Sequence, residues 1–489
     1  MGIHMEQGPF HVHFVGIGGI GMSGIARILV EMGWPVSGSD LVASEKTESL
    51  AAAGVRVHIG HREENVAGAK LVVVSAAVPM NNSEVLFAHE HGIRVVTRAQ
   101  MLGRLMQDRF GIAVAGTHGK TTTTSMISLV LERLGYDPSV VVGGEVFDIG
   151  GNGKLGHGPH LVVEADESDG SFLDLPAQIV VVTNVEADHL DHYADLDAVR
   201  ATFLAFMRLV PPDGIVVSCA DDQGLADLVS QLDCRHIDYG LQNVGHWRAT
   251  ELQFFPFGSR STIWRGRERV GCLDLQVPGK HNISNALAVL AVAHELNLPI
   301  GETMAILGEF RGVARRFEKL GESGNVLVID DYAHHPTEIK ATLAAARHLH
   351  RRIVAVFQPH RYTRVARLVN EFASSFYDAD QLILTDIYPA GEKPIRGISG
   401  GVLAEAVSKS GHPRLTYIPH KGDIPGFLAK TVLSGDVVLT LGAGDIREAG
   451  IKFLNWQKER VVSKCLEYES MANGHLRVLS PLVEQKTQF

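Results

Sequence analysis

The segment GTHGKTTT at 116–123 lies between an apolar, strand-like run and a helix-like run. Backbone N–H groups and the positive end of a helix dipole hold phosphate well at such a turn. Lys120 would reach the outer phosphates of a nucleotide, and the hydroxyl of Thr121 would bind Mg²⁺. The loop is shorter than usual, because Gly116 stands only three residues before Gly119. We expect a nucleotide triphosphate site here rather than a simple glycine turn.

An acidic segment, LVVEADESDGSF at 161–172, starts as a buried strand and ends in carboxylates. Glu164 follows the apolar run directly, and a carboxylate beside a phosphate loop is suited to bind Mg²⁺. For the later acids of this segment, exposure to solvent in a loop is as good an explanation as Mg²⁺ binding. These acids are Asp166, Glu167 and Asp169.

A second polar segment, VVVTNVEADHLDHY at 180–193, also begins as a strand. An imidazole among carboxylates can hold a second divalent ion, although a polar loop with one capping aspartate is the alternative. The polar side chains of this segment are Asn184, Glu186, Asp188, His189, Asp191 and His192.

Near the N-terminus, HFVGIGGIGMSG at 13–24 contains the pattern G-x-G-x-x-G, and Asp40 follows about twenty residues later. This pattern is typical of dinucleotide-binding folds, in which the glycines approach a pyrophosphate and the acid binds a ribose. Taken alone, it would predict an NAD-dependent dehydrogenase.

Further polar residues follow other predicted strands or open a helix. Asn282 and Asn285 share one face of a helix, and paired amides suit the edge of a base, although asparagine near a helix start is usually a cap. DDYAHHPTE at 330–338 and QPHRYTR at 358–364 place histidines and arginines at two adjacent strand ends. Guanidinium groups bind carboxylate or phosphate well, so these two loops indicate a second part of a site.

Alternating strand-like and helix-like runs predict an α/β protein with mainly parallel sheets, whose carboxyl edges carry the motifs above. We expect three domains: 1–108 and 313–489, both Rossmann-like, and a central P-loop domain at 109–312. Helices are expected at 20–32, 120–134 and 282–296, and a small antiparallel excursion at 247–277. The polar tail after Asn455 carries no clear prediction of order.

Composition excludes several classes of protein. The net charge of −10 argues against nucleic acid or an anionic membrane surface as the main partner, since both require basic excess. The apolar runs are strand-sized, which predicts no membrane insertion. Four cysteines without C-x-x-C spacing and no signal-peptide pattern favour a cytoplasmic protein with reduced thiols. We expect a monomer or weak homodimer.

Taken together, the motifs resemble those of the Mur ligases, the ATP-dependent amino-acid ligases of bacterial cell-wall precursor synthesis. The resemblance covers about 11–455, and its segments occur in the family's order. They are VGIGGIGMSGIA, GTHGKTTT, EADESDGSFL, TNVEADHLDHY, GKHNISNA, GVARRFE, DDYAHHPTE, QPHRYTR and LGAGDI. The resemblance implies that the first domain binds UDP, so its glycine loop holds the pyrophosphate of a UDP-sugar rather than of NAD.

The resemblance also implies the reaction and the two cofactors, ATP and Mg²⁺. The lactyl carboxylate of UDP-N-acetylmuramate would become an acyl phosphate and then accept the amine of L-alanine. A related ligase that attaches a recycled tripeptide is the alternative. A dehydrogenase leaves GTHGKTTT unexplained, and a nucleotide-sugar sensor with a dead ATPase site leaves the retained Lys120, Thr121, Glu164 and His189 unexplained.

By the same resemblance, each predicted residue has a role. The catalytic set is Lys120, His189, His334, Arg361 and Arg364, and the metal ligands are Thr121, Glu164 and His189. ATP would be bound by Gly116, Thr117, His118, Gly119, Lys120, Thr121, Thr122, Asn282 and Asn285, with Arg316 and Asp331 reaching it from the third domain. UDP-N-acetylmuramate and L-alanine would be bound by Gly16, Gly18, Gly19, Gly21, Asp40, Ser75, Arg98 and Tyr332.

Overall fold

The computed structural model describes residues 8–148, 150–190, 192–242 and 245–460. Within these ranges the chain forms three sheets, and it divides into two compact units between Ala314 and Arg315. The predicted α/β fold with three mainly parallel sheets is confirmed. The exact domain limits at 108 and 312 stay a prediction. No helix in the described ranges is long and apolar enough to cross a bilayer.

The first sheet is entirely parallel. Its strands are β1 (Val12–Val15), β2 (Val36–Asp40), β3 (Arg56–Ile59), β4 (Leu71–Val74) and β5 (Arg94–Thr97). They lie in the order β3-β2-β1-β4-β5, so the order reverses between β1 and β4, where ligands bind in this class of fold. The helices are α1 (Ile20–Glu31), α2 (Glu45–Ala52), α3 (Ser83–Glu90) and α4 (Arg98–Met106).

The second sheet has ten strands. They are β6 (Phe110–Ala115), β7 (Ser139–Val146), β8 (Gly151–Lys154), β9 (His160–Glu164), β10 (Ile179–Val182), β11 (Ile215–Cys219), β12 (Arg235–Gly240), β13 (Trp247–Phe255), β14 (Gly258–Arg265) and β15 (Glu268–Leu275). The central β7, β9, β6, β10, β11 and β12 are parallel. The four inner strands β9, β6, β10 and β11 are buried on both faces, because helices cover them.

Antiparallel strands extend both edges of this sheet. The antiparallel segment predicted at 247–277 appears as β13–β15. These strands extend the central sheet, because β13 pairs with β12. At the other edge, β8 pairs with β7 and lies against α1, where the side-chain amide of Asn152 donates to the carbonyl of Ile20 at 2.5 Å. The helices are α5 (Lys120–Arg133), α6 (Leu196–Met207), α7 (Gln223–Val229), α8 (Lys280–Glu295) and α9 (Ile300–Leu307).

The second unit contains the third sheet. Its strands are β16 (Glu318–Ser323), β17 (Val326–Asp331), β18 (Ile353–Phe357), β19 (Gln381–Leu384), β20 (Leu415–Tyr417) and β21 (Val437–Leu441), in the order β16-β17-β21-β18-β19-β20. All are parallel except the edge strand β16. The helices are α10 (Pro336–Arg347), α11 (Tyr362–Ala373), α12 (Gly400–Lys409), α13 (Ile424–Thr431) and α14, which spans 447–460. The part of the tail after 460 lies outside the described residues.

Candidate active site

The loop that joins β6 to α5 has the shape of a phosphate cradle. Gly116 and Gly119 both have positive φ, at 131° and 85°, a region that disfavours residues with a Cβ. Gly119 opens α5 without a side-chain cap, so the N–H groups of the first turn are left for an anion. Asn184 holds Thr117 and His118 in place. Its backbone carbonyl accepts from the Thr117 N–H at 3.1 Å, and its side-chain oxygen accepts from the His118 N–H at 2.8 Å.

Lys120 turns its ammonium group back into this loop. It donates to the carbonyl oxygens of Gly116 at 2.6 Å and Thr117 at 3.2 Å, and to the carboxylate of Glu167 at 2.9 Å. Burial acts to lower the pKa of Lys120, but Glu167 and two neighbouring carboxylates outweigh it and raise that pKa. The lysine therefore stays charged at neutral pH and is placed to neutralise phosphate oxygens.

Glu164 and Thr121 lie together at the predicted Mg²⁺-binding site. The hydroxyl of Thr121 donates to Glu164 Oε1 at 3.1 Å, and the backbone N–H of Gly143 donates to Glu164 Oε2 at 2.7 Å. A Cβ at Gly143 would lie 2.7 Å from the same carboxylate, so glycine is needed there. Hydroxyl and carboxylate oxygens side by side are the hard ligands that Mg²⁺ prefers, so the donor set fits this ion.

His189 lies beside the ion pair between Lys120 and Glu167. Its Nε2 is 3.7 Å from Glu167 Oε1 and 3.7 Å from Asp188 Oδ2, and its backbone adopts a positive φ of 53°. The sequence left solvation and metal binding equally open for Glu167, but the structure buries it, with only 2 % of its side chain exposed. Burial raises the pKa of Glu167 to about 7, although Lys120 opposes that shift. Glu167 is therefore a site residue that its position in an acidic run did not reveal.

The two predicted adenine-binding amides also lie against the loop. Asn285 donates to the side-chain oxygen of Asn282 at 3.3 Å, and Asn282 donates to the carbonyl of Pro278 at 2.7 Å. A Cβ at Gly119 would lie 2.8 Å from Asn285 Oδ1. The structure thus brings α8 to the phosphate loop, and contact of the amides with adenine stays a prediction.

The first glycine loop is held from the end of β2. The N–H groups of Gly16 and Ile17 donate to the carbonyl of Ser39, and the N–H of Gly18 donates to Asp40 Oδ2 at 2.8 Å. A Cβ at Gly16 would lie 3.2 Å from that of Ser75, which places Ser75 beside the loop as predicted.

Arg98 lies between α1 and the acidic segment that follows β9. At the start of α4, its side chain lies against Gly21, where a Cβ would come within 2.8 Å of its Cδ. Its guanidinium donates to Asp166 at 3.3 Å, and Asp166 precedes the Glu167 that holds Lys120. Arg98 therefore contacts α1 on one side and, on the other, the acidic segment whose Glu167 binds Lys120.

In the second unit, Asp331 ends β17 as a buried carboxylate. It accepts from the N–H groups of Phe317 at 2.7 Å and Ala333 at 2.8 Å. Burial raises its pKa to about 6, against the lowering effect of Arg316. The guanidinium of Arg316 stands 5.3 Å from the ring centre of Tyr332 and 3.5 Å from the carboxylate of Glu338.

The remaining predicted residues meet at the ends of β17 and β18. His334 Nδ1 lies 3.0 Å from the carbonyl oxygen of Tyr332, and its ring is 5.8 Å from that of His360. Arg364 Nη1 is 3.4 Å from His360 Nδ1. Arg361 caps α11 with a positive φ of 68°.

The sequence missed the residues that support this cluster. Glu338 accepts from the backbone N–H groups of His334 at 3.0 Å and His335 at 3.2 Å, and Tyr388 stacks on His360 at 5.5 Å. Glu338 closes a capping box with His335 at the start of α10, which is a local pattern, whereas the stacking of Tyr388 on His360 forms only in the fold.

Gly116→Ala is expected to disrupt the phosphate loop. The new Cβ would lie 2.1 Å from Thr183 Oγ1, at a φ that alanine rarely adopts. We expect a loss of about 1–3 kcal/mol in the free energy of unfolding and weaker ATP binding. Chemical denaturation and nucleotide titration measure both effects.

Gly135→Ala is the matched control, because Gly135 also has positive φ but has open space around it. Equal ATP binding in wild-type and Gly116→Ala proteins would contradict the role of this loop.

Comparison with protein families matches three consecutive regions of the chain. A Mur ligase family catalytic domain matches 11–110, a Mur ligase middle domain 114–293, and a Mur ligase glutamate ligase domain 315–444. The UDP-N-acetylmuramate–L-alanine ligase of Syntrophotalea carbinolica is 48% identical over 92% of this chain and 98% of its own. The chain belongs to the Mur ligase family. The enzyme of that name from Geotalea uraniireducens is 50% identical over 90% of this chain and 96% of its own.

Solved Mur ligase structures share the fold. The UDP-N-acetylmuramate-alanine ligase of Thermotoga maritima superposes with a TM-score of 0.78 and 31% identity, covering 93% of this chain and 100% of that one. The murein peptide ligase of Psychrobacter arcticus gives a TM-score of 0.69 and 25% identity, covering 92% and 99%. The alanine ligase is therefore the more similar of these two structures.

Proposed function

We propose that this Mur ligase joins L-alanine to the lactyl carboxylate of UDP-N-acetylmuramate, using ATP and Mg²⁺, and so acts in peptidoglycan precursor synthesis. The observation that carries the proposal is the near full-length identity of about 48% to ligases named for this reaction. The first sheet supplies a pyrophosphate loop, and the second supplies a triphosphate loop with its lysine. We place the enzyme in the cytoplasm, as a monomer or weak homodimer.

ATP is needed because a carboxylate is a poor electrophile. Its negative charge repels an amine, and phosphorylation converts its oxygen into a leaving group. The lactyl carboxylate attacks the γ-phosphate of ATP, giving an acyl phosphate and ADP. The amine of L-alanine then attacks the acyl carbon, and phosphate leaves as the amide forms.

The phosphate loop supports the first step electrostatically. Lys120 is charged, restrained by three acceptors, and positioned to neutralise the transferring group. Thr121 and Glu164 would hold Mg²⁺, with His189 at a second ion, and the metal supplies further neutralisation of phosphate charge. Arg98 and Asp40 would bind the UDP-sugar beside the first glycine loop.

His334 is suited to take the proton that the attacking amine must lose. Its Nδ1 donates to the carbonyl oxygen of Tyr332 at 3.0 Å, because a carbonyl can only accept. The neutral ring then carries its lone pair on Nε2, where a base needs it. Arg361, Arg364 and Tyr332 would bind the carboxylate of L-alanine.

Phosphate release with UDP-N-acetylmuramate and a panel of acceptors tests the proposal. We expect turnover with L-alanine and at least tenfold less with the tripeptide L-alanyl-γ-D-glutamyl-meso-diaminopimelate. Preference for the tripeptide would identify the recycling ligase instead. A change in nicotinamide absorbance with any substrate would support the dehydrogenase alternative.

A further inference from the structure

A cavity of about 410 Å³ lies at the amino ends of strands from the first and second sheets. Its walls come from the residues that precede β1, β2, β6 and β9, and from the last turn of α4. Ligand pockets in proteins have volumes of roughly 300–1,000 Å³, so this cavity has room for a small metabolite. Both glycine loops follow the carboxyl ends of strands, so the cavity is separate from the sites assigned to the substrates.

Arg104 brings a buried positive charge to the wall of this cavity. It lies in the last turn of α4, and its Nη1 is buried without a hydrogen-bond partner among the described residues. Burial, and then the nearby charge of Arg94, lower the pKa of Arg104, but an arginine stays charged at neutral pH. A buried charged donor is costly unless it is paired, so the guanidinium calls for an anion.

Arg109 adds a second guanidinium to the same cavity. Its Nη1 donates to Ser139 Oγ at 2.7 Å and to the carbonyl oxygens of Gly156 at 3.3 Å and Gly158 at 3.4 Å. These acceptors are neutral, so they fix the side chain without cancelling its charge. The one acid among the lining residues, Asp108, is exposed to solvent. The cavity therefore has a local excess of positive charge, on a protein whose net charge is −10.

The rest of the cavity wall is largely apolar. Trp34 is held edge-to-face by Phe10, with the ring centres 4.6 Å apart. Pro9, Leu105 and Pro159 line the cavity together with Trp34. Guanidinium groups suit a carboxylate or phosphate, and apolar walls suit a carbon skeleton. This combination fits a small organic anion better than an inorganic ion.

We propose that this cavity is a binding site for a small organic anion, whose acidic group pairs with Arg104 and Arg109 and whose apolar part lies against Trp34. The ligand is not a substrate of the ligation, because the cavity lies at the opposite ends of the strands from the two glycine loops. A carboxylate and a phosphate ester share the charge that the arginines recognise, so the experiment includes one of each.

Ligand-observed NMR titration of the full-length protein tests the site with three matched probes: 2-naphthoate, 2-naphthyl phosphate and the neutral 2-naphthamide. We expect at least one of the two acids to bind at least tenfold more tightly than the amide, because hydrogen bonds between charged groups are the stronger ones. The tighter acid shows which acidic group the site prefers. Saturating UDP and ADP should leave the affinity for that acid unchanged.

Arg104→Gln should weaken binding of the preferred acid at least tenfold and leave binding of the amide unchanged. The free energy of unfolding should stay equal or rise, because the variant removes a buried charge that has no partner. A purely structural role for Arg104 predicts the reverse, a loss of stability with unchanged binding. Chemical denaturation measures the stability of the unliganded protein.

Arg133→Gln is the matched control. Arg133 also lies in the last turn of a helix, α5, but it is exposed and pairs with Glu309 at 3.4 Å. This variant should bind the acid as the wild-type protein does. If Arg104→Gln fails to fold, the comparison of acids with amide in the presence of UDP and ADP still decides.

Three results would each overturn the site. They are acids that bind the wild-type protein no better than the amide, displacement of the preferred acid by UDP or ADP, and acid binding that survives in Arg104→Gln. None of them bears on the proposed function, because the cavity holds no residue assigned to ligation.

Discussion

Lys120→Met is expected to lower kcat for ligation by about 10³-fold or more, because the ammonium group neutralises charge on the transferring phosphoryl group. The effect should fall on the chemical step, so UDP-sugar binding at the first sheet should change little. The variant should still fold. Glu167, whose pKa burial already raises to about 7, can take up a proton once its partner is gone. Steady-state phosphate release and UDP titration separate the two effects.

Lys154→Met is the matched control for Lys120. Lys154 also pairs with two carboxylates, Glu132 at 2.5 Å and Asp137 at 3.0 Å, but it lies on β8, away from the phosphate loop. We expect its kcat to stay within about twofold of wild type, since pairs exposed to this degree contribute little. Normal amide formation by Lys120→Met would remove the basis of the proposed mechanism.

Glu164→Gln is expected to lower kcat by about 10²-fold at ordinary Mg²⁺ concentrations, because a neutral amide is a weaker ligand than a carboxylate. The glutamine can keep one acceptor for Thr121 or Gly143, so the local fold should persist. Part of the loss should be recovered as MgCl₂ is raised. Ligation rates across a Mg²⁺ series measure this shift.

Glu145→Gln is the control for Glu164, since Glu145 lies in the adjacent β7, is largely exposed and pairs only loosely with Lys46 at 3.9 Å. Its Mg²⁺ dependence should match that of the wild-type protein. If Glu164→Gln also keeps the wild-type Mg²⁺ dependence, Glu164 is not the metal ligand.

Much of the fold follows from local pattern. The helices predicted at 20–32 and 120–134 appear as α1 and α5 with ends within one residue. The antiparallel strands at 247–275 alternate apolar and polar side chains, and this is why they are visible in sequence. The edge strands β8 and β16 escape prediction, because Gly151–Lys154 and Glu318–Ser323 are short and largely polar or glycine-containing. Each forms an antiparallel hairpin with the strand next to it in the chain, β8 with β7 and β16 with β17.

The site residues also divide into those that local sequence predicts and those that only the fold brings together. Lys120, Thr121 and Glu164 follow from a loop and a strand end, because their chemistry depends on local spacing. Glu167 could not be separated from Asp166 in a run of acids, since only the fold buries one and leaves the other partly exposed.

The contact between Arg98 and Asp166 has a practical consequence. The loops assigned to the two nucleotides belong to one compact unit, and packing within that unit sets their separation. A bisubstrate inhibitor that spans both loops would therefore meet a preorganised surface. The entropy lost on binding would come mainly from the linker of the inhibitor, so stiffening that linker at the matching length should improve affinity.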